Sequence, residues 1–232
     1  MKDLSLVLPC YHEEQIFKAS LDRIIRLLRA TRLDVEVILV EDASKDNTPQ
    51  LVREAARTYP EVRAIFHEQN QGRGRTVGDG IRAAKGRVVG YLDIDLEIRE
   101  EHILSHYLAV REGADVAYAD RITGLTIGNL PRHLLHVWYI GMLRLVLGCD
   151  LGDTNAGCKF FNRKAILPVL AQVQDGHWFW DTEILVRAQK AGLRLRKLPV
   201  VYLKNQQKKS TVRMFADTAY FLRKIFHVRG RL

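Results

Sequence analysis

The chain has 232 residues, enough for one large domain, and its 47% hydrophobic and 27% charged residues are ordinary for a globular protein. Three cysteines, an odd number at wide spacing, favour neither a disulfide framework nor a zinc site. The net charge is +9, of which the residues after 203 supply +7, from eight Lys or Arg against one Asp. A basic tail of this kind suits an anionic partner, such as a phosphate substrate or an acidic membrane.

Other classes of protein are not favoured. No stretch contains the roughly 18 uncharged apolar residues that a bilayer-spanning helix requires. The N-terminus leads directly into a strand-like run, so no signal peptide is expected. Nucleic-acid binding is not expected either, because no recognised motif accompanies the basic tail.

Strands and helices alternate along the first half of the chain. Short apolar runs predict strands at 4–8, 35–40, 62–66, 88–92 and 114–119, and helical periodicity lies between most of them. This alternation predicts an α/β domain with a mostly parallel central sheet and helices on both faces. Ligands of such sheets bind beyond the carboxyl ends of the strands, so Pro9, Asp42 and Asp93 should face one crevice.

The strand at 88–92 ends in three carboxylates at alternate positions, Asp93, Asp95 and Glu97. Three negative charges within five residues repel one another unless a positive group sits between them. Mg²⁺ or Mn²⁺ would answer this need, because a hard cation takes oxygen ligands and keeps positions open for substrate phosphates. A charged turn after a strand is the simpler alternative.

A glycine-rich loop containing Gly72, Gly74 and Gly78 precedes a predicted helix. It invites comparison with a dinucleotide-binding oxidoreductase, although the spacing is not the usual fingerprint of that class. Arg73 and Arg75 could still meet a phosphate. The glycines could also do no more than form a tight turn.

Two segments in the second half could be core or could lie at a membrane. Residues 132–147 are almost wholly apolar, and residues 213–228 predict a basic amphipathic helix. Each could pack on the domain or contact a lipid surface. We expect two units, a catalytic domain over 1–212 and the C-terminal helix over 213–232.

Four segments together carry a resemblance to a known family: LVLPCYHEE at 6–14, VEDASKDNT at 40–48, NQGRG at 70–74 and the DxD sequence at 93–95. They resemble the family 2 inverting glycosyltransferases of GT-A fold. Glu97, the pair Asp120-Arg121 and DTNAGCKFF at 153–161 resemble the polyprenyl-phosphate branch, which includes the dolichol-phosphate mannose and glucose synthases. Arg73 stands where that branch often has lysine.

The resemblance implies roles for particular residues. Mg²⁺ or Mn²⁺ would be held by Asp93, Asp95 and Glu97, and catalytic roles would fall to Asp95, Arg121 and Asp181. Phosphate groups would be bound by Arg121, Arg132, Lys208 and Arg213. The nucleotide-sugar would be bound by Pro9, Tyr11, Glu13, Val40, Asp42, Arg73, Asp93, Ile94 and Asp95.

The implied activity is metal-dependent, inverting transfer of mannose or glucose from a GDP- or UDP-sugar to a polyprenyl phosphate. It would occur in the cytoplasm, peripherally at the cytosolic membrane face, where a membrane-anchoring partner could hold the enzyme. One alternative is transfer to a hydroxyl group of a glycan or small molecule, with Asp181 as the base. A lipid phosphate is already an anion and needs no base, so the sequence leaves the role of Asp181 open.

Overall fold

The computed structural model describes residues 1–122, 137–203 and 214–231, with the backbone alone over 214–219. The strands are β1 (Leu4–Cys10), β2 (Val35–Glu41), β3 (Val62–Phe66), β4 (Val88–Leu92), β5 (Val116–Ile122), β6 (Cys158–Asn162) and β7 (Leu195–Val201). The helices are α1 (Phe17–Ala30), α2 (Thr48–Thr58), α3 (Arg73–Ala83), α4 (His102–Arg111), α5 (137–147, its last turn a π-helix), α6 (Arg163–Leu170), α7 (Trp180–Lys190) and α8 (Met214–Arg229).

The seven strands form one sheet in the order β3-β2-β1-β4-β6-β5-β7. β6 runs antiparallel to both of its neighbours, and the other pairings are parallel. The prediction of a mostly parallel sheet is confirmed, although the reversed strand was not predicted. Because β6 is reversed, its first residue, Cys158, lies opposite Leu92 at the end of β4. The loop before β6 therefore reaches the edge of the sheet where the three carboxylates lie.

Helices cover both faces of the sheet, as predicted. The side chains of Leu4, Leu6 and Leu8 in β1 pack in a core with α1, α2 and α4. Val7, which points the other way, packs in a second core with α3, α5, α6, α7 and α8. This alternation along one strand is the expected consequence of the two-residue period of a β-strand.

β2, β1 and β4 are adjacent and parallel, so Pro9, Asp42 and Asp93 lie at the same edge of the sheet. The prediction that β1 stops at Pro9 was wrong, because Pro9 pairs with Val40 and the strand continues to Cys10. Pairing with β4 ends earlier, at Val7. Pro9 is therefore at an edge on that side, where a residue without an N–H is tolerated.

The apolar segment in the second half is part core and part surface. Leu143 and Leu147 of α5 are buried, whereas Val137, Trp138 and Leu145 are 53%, 45% and 81% exposed. Residues 132–136 of that segment lie outside the described residues. Within the described parts of the chain, none of the helices combines the length and apolarity needed to cross a bilayer.

α8 packs on the domain through one side. Ile225 and Val228 are buried in the second core, beside α5. Arg223 and His227 are exposed, as the amphipathic pattern predicted. Phe226, although apolar, is 54% exposed.

Candidate active site

The ends of β1 and β2 lie side by side at the edge of the sheet where the crevice is expected. Tyr11 follows β1 and is 45% exposed, so its ring is available to a ligand. Glu13 is buried, and its backbone N–H donates to Oγ1 of Thr48 at 2.8 Å. Val40 is buried in β2. Pro9, Tyr11 and Glu13 lie at or just after the end of β1, and Val40 lies near the end of the adjacent strand β2 with its side chain in the second core. Contact of these residues with a nucleotide stays a prediction.

Asp42 ties the loop before α3 to β2. Its Oδ1 accepts from the backbone N–H of Gln71 at 2.8 Å, and its Oδ2 accepts from that of Gly72 at 3.0 Å. Nδ1 of His67 lies 2.7 Å from the same Oδ1. The carboxylate is only 3% exposed. Its contacts here organise the loop, and its predicted contact with a nucleotide base stays a prediction.

Gly72 allows the loop to pass close to the segment before α7. Its φ is +89°, and a Cβ at this position would lie 2.3 Å from Nδ1 of His177. Both features favour glycine. Gly72 precedes α3 directly, so this close approach sets where Arg73, the first residue of the helix, emerges. The predicted glycine-rich loop is wrong beyond Gly72, because Gly74 and Gly78 lie in α3.

Arg73 joins two carboxylates that are far apart in sequence. Its Nη2 donates to Oδ1 and Oδ2 of Asp93 at 2.8 and 2.9 Å, and its Nε donates to Oδ1 at 3.1 Å. Its Nη1 donates to Oδ2 of Asp181. Burial would lower the pKa of Arg73, but the two carboxylates outweigh it and raise the pKa well above the usual value. Arg73 is therefore a fixed positive charge in the crevice.

Asp181 lies at the start of α7 and is only 2% exposed. Besides the contact with Arg73, its Oδ1 accepts from Nζ of Lys159 at 2.7 Å and from the hydroxyl of Tyr91. Burial would raise its pKa, but Arg73 and Lys159 outweigh burial and lower it. A carboxylate that is shielded from solvent and held by two cations is a poor proton acceptor.

Lys159 is fully buried in β6, and its ammonium group is hydrogen-bonded throughout. Besides Asp181, it donates to the hydroxyl of Tyr91 and to the carbonyl of Ala156, both at 2.8 Å. An ammonium group has three protons, so these bonds satisfy its donors. Arg73, Tyr91, Lys159 and Asp181 form one buried polar network, which we call the Asp181 network.

The three carboxylates at the end of β4 lie in one turn. Asp95 accepts from the backbone N–H of Glu97 at 3.2 Å, and Glu97 accepts from the hydroxyl of Tyr202 at 2.6 Å. Ile94, between Asp93 and Asp95, is buried. Across the described residues, no three His, Cys, Asp or Glu side chains converge on one metal position. The turn therefore carries suitable ligands, while Asp93 is engaged by Arg73.

Arg121 lies at the same edge but faces a different partner. Its Nη2 donates to Oδ1 of Asp153 at 3.0 Å, and its Nε donates to Oδ2. Its guanidinium also lies 5.1 Å from the centre of the Tyr202 ring. Burial would lower the pKa of Arg121, but Asp153 raises it overall. The other proposed phosphate ligands, Arg132, Lys208 and Arg213, lie outside the described residues.

Sequence reasoning gave no role to Tyr91, Lys159 or Tyr202. A lysine within the apolar run 158–161 was a signal, because a charge in a buried strand requires a partner. Tyr91 and Tyr202 gave no comparable signal, since a tyrosine near a strand end is common.

Solved structures of low sequence identity share the fold. Glucosyl-3-phosphoglycerate synthase from Mycobacterium tuberculosis, solved with Mn²⁺, UDP and glucosyl-3-phosphoglycerate, superposes with a TM-score of 0.76. The match covers 99% of this chain and 80% of that one, at 17% identity. The chain thus has the GT-A glycosyltransferase fold.

Curated relatives are closer in sequence. The glycosyltransferase AglD of Haloferax volcanii is 34% identical over 85% of this chain. The dolichyl-phosphate β-glucosyltransferase ALG5A of Trichomonas vaginalis is 28% identical over 85% of this chain, and the yeast dolichyl-phosphate β-glucosyltransferase is 24% identical over 85%. The chain spans 32% of the length of AglD and 64% of that of ALG5A.

The sequence profile described as Glycosyl transferase family 2 matches residues 5–170, which include the crevice residues of β1, β2, β4 and the loop before β6. This match confirms the resemblance drawn from the four sequence segments. The chain belongs to the family 2 glycosyltransferases.

Proposed function

We propose that this protein transfers a hexose, with glucose the first candidate, from a nucleotide-sugar to a polyprenyl phosphate of the dolichyl type. The burial and the contacts of Asp181 are the observation that carries the choice of acceptor. The Asp181 carboxylate is 2% exposed and is held by Arg73, Lys159 and Tyr91. An acceptor hydroxyl needs a base to remove its proton, whereas a phosphate oxygen is already a nucleophile.

The donor is supported by the relatives and the fold. ALG5A and the yeast relative are named as glucosyltransferases acting on dolichyl phosphate, and the Mycobacterium tuberculosis enzyme was solved with UDP. These names favour glucose over mannose and UDP over GDP. The family assignment also replaces the oxidoreductase interpretation of the glycine-rich loop.

The chemistry of the carboxylates after β4 suits a divalent cation, although the three do not converge on one position within the described residues. Asp95 and Glu97 supply the oxygen ligands that Mg²⁺ and Mn²⁺ prefer, and the hydroxyl of Tyr202 orients Glu97. Asp93 would join them or bind the nucleotide ribose. When bound, such a cation would offset the negative charge of the departing nucleoside diphosphate.

Contact with a membrane follows from a lipid acceptor. The exposed face of α5 presents Val137, Trp138 and Leu145 beside Arg144, and α8 adds Arg223 and Phe226 to the surface. Together with the charge of +7 after residue 203, these side chains suit an anionic lipid surface. The proposed location is therefore the cytosolic membrane face, with peripheral attachment or a membrane-anchoring partner.

The test of the donor is a transfer assay with radiolabelled UDP-glucose or GDP-mannose and a short polyprenyl phosphate in detergent, with Mn²⁺, Mg²⁺ or EDTA. We expect label from UDP-glucose in the lipid product, loss of that label with EDTA, and loss in Asp95→Ala. Transfer that persists in EDTA would contradict the metal. Transfer from GDP-mannose alone would contradict glucose.

The membrane contact has its own test. We expect the protein to float with vesicles containing acidic phospholipid at low salt and to remain unbound with neutral vesicles. Trp138→Glu combined with Leu145→Glu should weaken flotation, whereas the exposed residue Leu108 on α4 provides a control in Leu108→Glu. If both variants float equally well, Trp138 and Leu145 do not make the membrane contact.

A further inference from the structure

We infer that Asp181 is a positioning residue, which acts on the donor half of the site through Arg73 and Asp93. This inference rests on the proposed function in one respect, that Asp93 meets the nucleotide-sugar. It assigns Asp181 a task that differs from accepting a proton.

Arg73 bridges Asp93 and Asp181. One edge of its guanidinium donates to both oxygens of Asp93, and its Nη1 donates to Asp181. Asp93 is 32% exposed at the crevice, whereas Asp181 is 2% exposed. Arg73 thus connects an accessible carboxylate to a buried one through a rigid planar group.

The carboxylate of Asp181 balances the charges of two cations. Arg73 and Lys159 are both cations, and their side chains are 15% and 0% exposed. Asp181 contacts both, and the hydroxyl of Tyr91 holds its Oδ1. Without the charge of Asp181, Asp93 would be the carboxylate that still contacts Arg73, and Lys159 would lose its carboxylate partner. The excess positive charge in a poorly solvated region would disfavour the present position of Arg73.

The carboxylate of Asp93 is confined from two sides. The backbone N–H of Asp93 donates to the carbonyl of Gly157 at 2.9 Å. A Cβ on Gly157 would lie 2.0 Å from Oδ2 of Asp93, so the backbone before β6 confines the carboxylate on one side. Arg73 confines it on the other. The rotamer of Asp93 therefore depends on where Asp181 holds Arg73.

A base and a positioning residue give different results when no acceptor is present. Loss of a base lowers the rate of transfer and leaves nucleotide affinity unchanged. Loss of the anchor of Arg73 weakens nucleotide binding itself, because the Asp93 carboxylate is no longer held in place. The dissociation constant of a nucleoside diphosphate is therefore the informative quantity.

The experiment is a double-mutant cycle on the Kd of UDP, with GDP as a second probe, measured by calorimetry with and without Mn²⁺. The variants are Asp181→Asn, Arg73→Met and their combination. We expect each single substitution to weaken UDP binding on the order of tenfold, as for other coupled charged contacts. The combination should bind no more weakly than Arg73→Met, because Asp181 then has nothing through which to act. Arg73→Lys should recover part of the affinity.

A second cycle keeps the inference testable if Asp181→Asn folds poorly. Tyr91→Phe removes the hydrogen bond to Asp181 and the one accepted from Lys159, and it leaves every charge in place. It should weaken UDP binding in the wild-type background and have no further effect in Arg73→Met.

The matched control is Glu183→Gln. Glu183 lies in the same helix, is 2% exposed and is paired with Arg187 at 2.7 Å, outside the Asp181 network. It should lower the melting temperature and leave the Kd of UDP unchanged. Additive losses of UDP affinity in the cycles, or an unchanged Kd in Asp181→Asn, would overturn this inference and leave the proposed function standing. Failure of the wild type to bind either nucleotide would overturn the proposed function, and this inference with it.

Discussion

Nζ of Lys159 lies 2.7 Å from Oδ1 of Asp181, and the two side chains are 0% and 2% exposed. This contact joins β6 to α7 across the second core. A buried pair is costly to break, because removal of one partner leaves the other charge without compensation. The pair therefore couples the stability of the fold to the arrangement of the candidate site.

Lys159→Met should destabilise the protein by about 3–5 kcal/mol, the range for breaking a buried charge pair. The free energy of unfolding in urea measures this loss. Lys164→Met, at an exposed position in α6, is the control and should change stability by less than about 0.5 kcal/mol. Equal stability of the two variants would show that the buried pair does not support the fold.

Gly157→Ala should impair nucleotide binding, because the new Cβ would collide with the Asp93 carboxylate at 2.0 Å. We expect the Kd of UDP to rise on the order of tenfold, the free-energy equivalent of about 1.4 kcal/mol. Gly141→Ala is the matched control, since a Cβ there meets nothing within 4 Å. An unchanged Kd in Gly157→Ala would mean that Asp93 does not contact the nucleotide.

Tyr202→Phe should weaken the cation site and preserve the fold. The lost hydroxyl lies 2.6 Å from Oε2 of Glu97, and removal of such a partner of a metal ligand typically costs about 10–100-fold in metal affinity. Binding of Mn²⁺ in the presence of UDP can be followed by electron paramagnetic resonance. Tyr118→Phe, which loses a buried hydroxyl bonded to the Leu151 carbonyl at 2.7 Å, is the control. Similar Mn²⁺ affinity in the two variants would remove Glu97 from the site.

His106 should make the protein less stable in mild acid. Burial lowers its pKa to about 4, while an unfolded chain has a histidine pKa near 6.5. The stabilisation is complete above pH ~6.5 and declines as the pH falls towards 4, because only the unfolded state then binds the proton. The loss amounts to about 3 kcal/mol for a shift of this size.

His106→Gln should flatten this decline in the free energy of unfolding between pH 7 and about 4. His227→Gln, at an exposed position in α8, is the control and should keep the wild-type slope. The account of His106 is wrong if its removal leaves the slope as steep as before.

Much of the first half of the fold could be predicted from sequence. The bounds of β3 and β4 agree with the structure because each is a short apolar run between polar or glycine-containing breaks. The common edge of Pro9, Asp42 and Asp93 followed from the parallel geometry. The strand order and the reversal of β6 could not be predicted, because hydrophobic period does not specify which strands pair.

The site was predictable as a set of residues and not as a set of contacts. Asp42 was expected to face a nucleotide base, and it holds the backbone of Gln71 and Gly72. The sequence left the role of Asp181 open. Its contacts with Arg73 and Lys159 join positions separated by 108 and 22 residues. Only the folded chain brings these charges together.

The most direct test of the account is the comparison of two acceptors of the same chain length, a polyprenyl phosphate and the corresponding polyprenol, with wild type and Asp181→Asn at saturating donor. We predict transfer to the phosphate and none to the alcohol. Asp181→Asn should transfer to the phosphate at most of the wild-type rate, because saturating donor compensates for its weaker nucleotide binding. Transfer to the alcohol would contradict the account if Asp181→Asn also lowered the rate of that transfer at unchanged UDP affinity. The loss of rate would then be roughly 10²–10⁴-fold, the range for removal of a general base.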